Sequence, residues 1–189
     1  MGFDIYGIKP KENTDIPKIL KQDWSKLDDK EKSNYWEAKD KWEQKNPGNY
    51  FRNNVWWWRP LWAYVCLICE DVMSEEEEMA GTENSALEIP DTTIDRMVEK
   101  LVTEMVLENH TEHQQKYEKE LKEMPDEECH LCDGTGIRND KYTKDQDQEC
   151  NGCKGKGKRR PWACNYSFTA ENLEQFVDFL SESGGIKIC

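Results

Sequence analysis

Four cysteines in two pairs carry the clearest chemistry in this 189-residue sequence. Cys129-His-Leu-Cys132-Asp-Gly-Thr-Gly136 and Cys150-Asn-Gly-Cys153-Lys-Gly-Lys-Gly157 both read C-x-x-C-x-G-x-G, with 17 residues between Cys132 and Cys150. A two-residue gap lets both sulfurs of a pair reach one ion, and two pairs at this distance supply the four thiolates of a tetrahedral zinc. The glycines let the backbone fold back where a Cβ would obstruct it. Four thiolates saturate the ion and leave no position for water, so the expected Zn²⁺ is single and structural rather than catalytic.

Two further stretches could hold a ligand. Lys154, Lys156, Lys158, Arg159 and Arg160 place five cations in seven residues, beside Pro161-Trp162. They read either as an anion- or nucleic-acid-contacting finger or as a basic turn that balances acidic residues of the same chain. The run from Asn49 to Trp62 holds Arg52, Asn53, Trp56, Trp57, Trp58 and Arg59. Stacked indoles and an arginine clamp could line a pocket for a nucleotide or another small molecule, or the same residues could be core and turn.

Other residues with reactive side chains read as structural. Cys66-Leu-Ile-Cys69 is a third C-x-x-C pair, but it lies in an apolar stretch with no basic neighbour to lower a thiol pKa. Cys164 and Cys189 read the same way. His130 sits inside the first zinc pair and is expected to hydrogen-bond rather than ligate. His110 and His113 are expected on an exposed helix face, and their spacing is not that of H-E-x-x-H. The sequence contains no Walker loop, G-x-S-x-G elbow or dinucleotide fingerprint.

Charge and length narrow the setting. The net charge of −13 is concentrated in residues 70–128, which carry 5 basic and 20 acidic groups. That disfavours duplex binding by the body of the chain, because phosphate affinity depends on cations. Met1-Gly-Phe-Asp-Ile lacks the basic start and apolar run of a secretory signal, and Tyr6 does not fit a myristoylation motif. Eight cysteines without such a signal point to metal-held thiolates in the cytoplasm rather than disulfides. The apolar stretch Val55 to Cys69 contains Arg59 and Pro60 and is too short for a membrane helix, so no membrane partner is expected.

The elements that must position these residues follow from periodicity. Residues 3–8 read as a strand. A helix capped by Ser25 runs to about Lys45, and a buried helix starts at Pro60. Residues 74–85 read as a solvated acidic loop. A long helix over 92–124 packs Ile94, Met97, Val98, Leu101 and Met105, while its second half projects into solvent. Alternation over Trp162, Cys164, Tyr166 and Phe168 predicts a strand. Thr169 caps a helix ended by Gly184-Gly185, and a last strand spans 186–189. The expected fold is α+β, mostly helical with a small β-sheet. Residues 1–128 and 161–189 form the main domain, and 129–160 is an inserted four-cysteine zinc module.

The repeated C-x-x-C-x-G-x-G resembles the cysteine-rich zinc modules of DnaJ-type cochaperones, over residues 129–157. It has two repeats where that family has four, and the chain has no His-Pro-Asp signature. The resemblance therefore implies one zinc centre held by Cys129, Cys132, Cys150 and Cys153, and no cochaperone activity. The segments Met1-Gly-Phe-Asp-Ile-Tyr-Gly-Ile-Lys-Pro10 and Tyr50 to Trp62 look similar to small uncharacterised proteins of bacteriophage genomes. That resemblance implies an accessory or anti-defence factor in the host cytoplasm. The leading functional reading is a non-enzymatic, zinc-stabilised binding protein that engages a macromolecule, first of all a protein. The alternatives are a nucleic-acid-interacting regulator using residues 154–160, and a nucleotide or small-molecule binder using residues 52–62.

Overall fold

Alternating burial in the first strand sets up the sheet on which the larger part of the molecule is built. The computed structural model describes residues 2–138 and 148–189. Along the chain run β1 (Gly2–Gly7), α1 (Asp29–Lys45), β2 (Tyr50–Asn54), α2 (Val55–Cys69), α3 (Glu75–Glu83) and β3 (Glu88–Ile89). Next come α4 (Asp91–Val106), α5 (Asn109–Glu123) and the short strands β4 (Glu127–Glu128), β5 (Ile137–Arg138), β6 (Gln148–Glu149) and β7 (Lys158–Arg159). The chain ends with α6 (Ala170–Ser183) and β8 (Ile186–Ile188). These elements form two compact units, Met1–Gln114 with Phe168–Cys189, and Gln115–Ser167. The α+β class expected from the sequence is observed.

In the larger unit the strand order is β2-β1-β8-β3, with every neighbouring pair antiparallel. Phe3, Ile5, Ile186 and Ile188 are buried on one face. Opposite charges pair on the other, where Asp4 meets Arg52 at 3.6 Å and Lys187 meets Glu88 at 3.8 Å. Trp58 is fully buried and stacks between Phe3 and Trp62, with both centroids 5.2 Å away. Phe176 of α6 meets the Trp58 ring edge-on at 5.6 Å. Ile94, Met97 and Leu101 of α4 are buried, as their i, i+3, i+7 spacing requires.

Several sequence expectations are corrected. The acidic run 74–85 is not a loop but holds a helix over Glu75–Glu83. Ser74 and Glu77 form a reciprocal capping box, and four glutamates in the first turn suit the positive end of the helix dipole. The indole N–H groups of Trp58 and Trp62 then donate to the carbonyls of Gly81 (2.7 Å) and Glu78 (2.9 Å), which holds α3 against α2. Helix α2 starts at Val55 rather than Pro60, because the Asn54 side chain accepts from the N–H groups of Trp56 and Trp57. Helix α1 is capped by Asp28, reciprocally with Glu31, while Ser25 bonds to Asp23 in a separate short turn.

The single helix expected over 92–124 is interrupted. Leu107 and Glu108 break it, and Glu108 adopts a positive φ of 59°. The second half does not simply project into solvent. Tyr117 donates to the Tyr166 carbonyl, and Cys164 reaches the Met124 sulfur at 3.9 Å. The strand expected over 162–168 is a 3₁₀ turn, Trp162–Asn165. Its period of two is only partly matched by burial, since Trp162 is 57% exposed and Phe168 is 2% exposed.

Asn46, buried at the end of α1, shows how a polar residue secures an irregular segment. Its side-chain oxygen accepts from the N–H groups of Asn13 (2.8 Å) and Thr14 (3.0 Å), and its amide donates to Thr14 and to the Trp42 carbonyl. Asn46→Ala leaves both N–H groups unsatisfied. It is expected to cost about 1–3 kcal/mol in urea unfolding; an unchanged midpoint would show that the 13–14 segment contributes nothing to stability.

Candidate metal centre

The smaller unit repeats one local structure twice. After Cys129, the Cys132 N–H bonds to the Cys129 carbonyl and the Thr135 N–H to the Cys132 carbonyl. The chain then turns back through Asp133, Gly134 and Gly136, all at positive φ. Cys150 to Gly157 follows the same course, with Lys154, Gly155 and Gly157 at positive φ. The backbone N–H of Gly136 donates to the Cys132 sulfur at 3.3 Å, and that of Gly157 to the Cys153 sulfur at 3.2 Å. The halves clasp each other reciprocally: the Cys129 N–H bonds to the Gly157 carbonyl (2.9 Å) and the Cys150 N–H to the Gly136 carbonyl (2.8 Å). Strand β4 pairs with β7 and β5 with β6, so each strand entering one half pairs with the strand leaving the other.

This clasp brings the four sulfurs within 4.8 Å of one another, with Cys129 to Cys150 at 3.8 Å and Cys132 to Cys153 at 3.7 Å. A disulfide needs roughly 2.05 Å, so these are separate sulfurs. A tetrahedral ion with bonds of about 2.3 Å to sulfur places its ligands about 3.8 Å apart. The donor set fits one metal ion. All four cysteines are buried, and Leu131 packs against them. Burial opposes ionisation of the Cys150 thiol. The N–H groups of Cys153 and Gly152 and the thiols of Cys153 and Cys132 outweigh that cost and bring it down to about 7. At Cys150 this favours the thiolate form that a metal requires. His130 is exposed and stands outside the sulfur group.

The basic segment next to the centre divides. Arg159 donates to Glu127 through Nε (3.2 Å) and Nη2 (3.0 Å). Arg160 donates to the Met124 carbonyl at 2.5 Å and to the Leu121 carbonyl, at the C-terminal end of α5 where carbonyls lack helical partners. It also lies 3.6 Å from Asp126. Lys154, Lys156 and Lys158 are exposed.

The aromatic run is divided as well. Trp58 belongs to the core, Trp56 is half-buried, and Trp57 and Arg59 are exposed. Asn53 is buried and donates to Asn172 at 2.8 Å. Arg52, Asn53, Asn54 and Trp57 line a surface groove of about 340 Å³ with Thr169 and Asn172 of the α6 start. The sequence reading missed both β2, which makes Arg52 a strand residue paired with Asp4, and the α6 side of the groove.

The remaining cysteines and histidines are packed. Burial pushes the Cys66 and Cys69 thiols up to about 12, which keeps them protonated and unreactive. His110 and His113 are not on an exposed face as expected. His110 is 5% exposed, with Nε2 3.3 Å from Glu174, and the His113 ring lies 4.6 Å from Tyr64 and 4.8 Å from Phe168. The break at Leu107–Glu108 starts α5 on a new phase, which turns these imidazoles inward.

No protein-family model, curated protein or solved structure matches the chain. Among the described residues, no helix is long and apolar enough to cross a membrane. The sulfur geometry thus carries the assignment of the site.

Two outcomes test the centre. Chelation is expected to expose four additional thiols to a colorimetric thiol reagent, whereas Cys66 and Cys69 stay silent in the folded protein; a gain of two would mean that only one pair holds the ion. A Cβ at Gly157 would stand 2.2 Å from the Gly134 carbonyl oxygen, at a φ of 72°. Gly157→Ala is therefore expected to weaken metal affinity by roughly tenfold or more in a chelator competition.

Proposed function

We propose that this protein is a non-enzymatic, zinc-stabilised binding protein whose partner is another protein. The closed four-thiolate cluster carries this reading. Its sulfurs already sit at zinc spacing, they are buried, and a tetrahedral ion bound to all four keeps no open position for substrate or water. Zinc suits the site because soft thiolates and tetrahedral geometry favour it over oxygen-seeking ions. Bound there, it would fix the backbone of both halves and so the directions of the side chains they display.

The division of the basic segment supports a protein partner over nucleic acid. Arg159 and Arg160 are engaged by Glu127, Asp126 and the end of α5, which leaves a short lysine set rather than a long cationic track. The likeness of residues 1–10 and 50–62 to bacteriophage proteins favours an accessory role in the host cytoplasm, with a host or defence component as the target.

Elemental analysis of protein purified under reducing conditions is expected to give one zinc per chain. Cys132→Ser is expected to lose the zinc and the captured partner while the tryptophan fluorescence of the aromatic core persists, because Trp58 and Trp62 lie in the larger unit. A wild-type chain free of zinc, or a zinc-free variant that still retains its partner, would overturn the reading.

A further inference from the structure

The two halves of the metal centre serve as an internal comparison of what the fold requires. Cys129, Cys132, Gly134 and Gly136 correspond to Cys150, Cys153, Gly155 and Gly157. Glu128 corresponds to Glu149, and their side chains lie against Gly134 and Gly155 in the same manner. Arg138 corresponds to Arg159, and each bonds across to the opposite half, to Asn151 (3.1 Å) and to Glu127. Burial repeats too: in each half the second cysteine and the last glycine are buried, while the residues that alternate with the glycines are exposed. What recurs in both halves serves the shared backbone course, and in the first half the Thr135 hydroxyl adds a bond of its own to the Cys132 carbonyl.

The lysines do not recur. Lys154, Lys156 and Lys158 occupy the positions held by Asp133, Thr135 and Ile137 in the first half. Asp133 and Lys154 even share the left-handed backbone, at φ 46° and 51°. The fold therefore accepts an acid, a hydroxyl and an alkyl group at these sites, and the three lysines are not needed to build it. Among the described residues, none of their ammonium groups has an ion-pair partner in the structure, whereas Arg159 and Arg160 both do.

We infer that Lys154, Lys156 and Lys158 form the contact face of the metal centre, and that its ligand is a short acidic segment of a protein partner. This rests on the binding-protein reading above and names the surface it uses. Three cations on alternate residues match a short run of carboxylates. They give a nucleic acid only about three phosphate contacts, too few for tight binding at physiological salt. The chain's own charge does not forbid an acidic ligand here. Residues 115–167 carry eleven basic and eleven acidic side chains, so the net −13 belongs to the rest of the sequence and four thiolates around one Zn²⁺ leave this unit at only −2. Screening over about 8–10 Å limits its reach.

The test copies the first half onto the second. Zinc-loaded wild-type protein is titrated with a fluorescent hexaglutamate peptide and with oligothymidylate at physiological salt, beside a triple variant Lys154→Asp, Lys156→Thr, Lys158→Ile. The peptide is expected to bind the wild type, and the variant to keep its zinc and lose about tenfold or more in affinity. Adding Asp133→Lys, Thr135→Lys and Ile137→Lys to that variant moves the lysines to the other half and is expected to restore binding. Equal affinity of the triple variant, loss of its zinc, no peptide binding by the wild type, or tighter binding of oligothymidylate than of peptide would each overturn the inference. A triple variant that still captures the wild-type partner from lysate would remove this face while leaving the binding-protein reading intact. A wild type without zinc would remove that reading itself.

Discussion

The smaller unit is organised by sulfur. Among its described residues the buried side chains are those of the four cysteines, with Leu131 packed on them, and its strands are two residues long. Apolar burial at about 25 cal/mol per Å² cannot offset a backbone entropy of about 1–2 kcal/mol per ordered residue on so small a core. Metal ligation by thiolates, with apparent free energies of about 10–16 kcal/mol in small zinc modules, is the interaction large enough to do so. The N–H bonds to sulfur and the reciprocal cysteine–glycine clasp accompany the convergence of the four sulfurs. Every displayed side chain of the two halves takes its direction from that convergence.

The larger unit solves the same problem with indoles. Trp58 and Trp62 bury flat area in a stack with Phe3, and their N–H groups need acceptors once water is excluded. Carbonyls of α3 supply them. An unusually acidic helix is thereby drawn onto the most apolar one, with Gly81 letting the backbone lie against the Trp62 ring. The polar and apolar parts of this core constrain each other, since moving α3 would strand two buried donors.

Much of this was legible in the sequence where a residue type has one dominant physical use. The cysteine spacing places the metal centre, Thr169 and Gly184 mark the ends of α6, and the Ile94–Met97–Leu101 stripe gives the buried face of α4. Reading failed where two uses compete. The glutamates of 75–78 repel one another as a run, yet at a helix N-terminus behind Ser74 they are favourable. Alternation over 162–168 mimics a strand, although Pro161 leads into a 3₁₀ turn. Nothing local announces that Tyr50–Asn54 pairs with β1, because the pairing joins segments more than forty residues apart. The groove beside Asn172 is hidden for the same reason.

Helix α5 begins in one unit and ends in the other. Its first turn is fixed by the His110 and His113 contacts and its last by the Arg160 guanidinium. Nucleating a helix is the costly step, whereas each added residue extends it cheaply. Whichever unit orders first therefore presents the other with a helix already begun. The order of assembly is left to the supply of metal: with the ion scarce, α5 grows from its N-terminal end, and with the ion plentiful it can start from either.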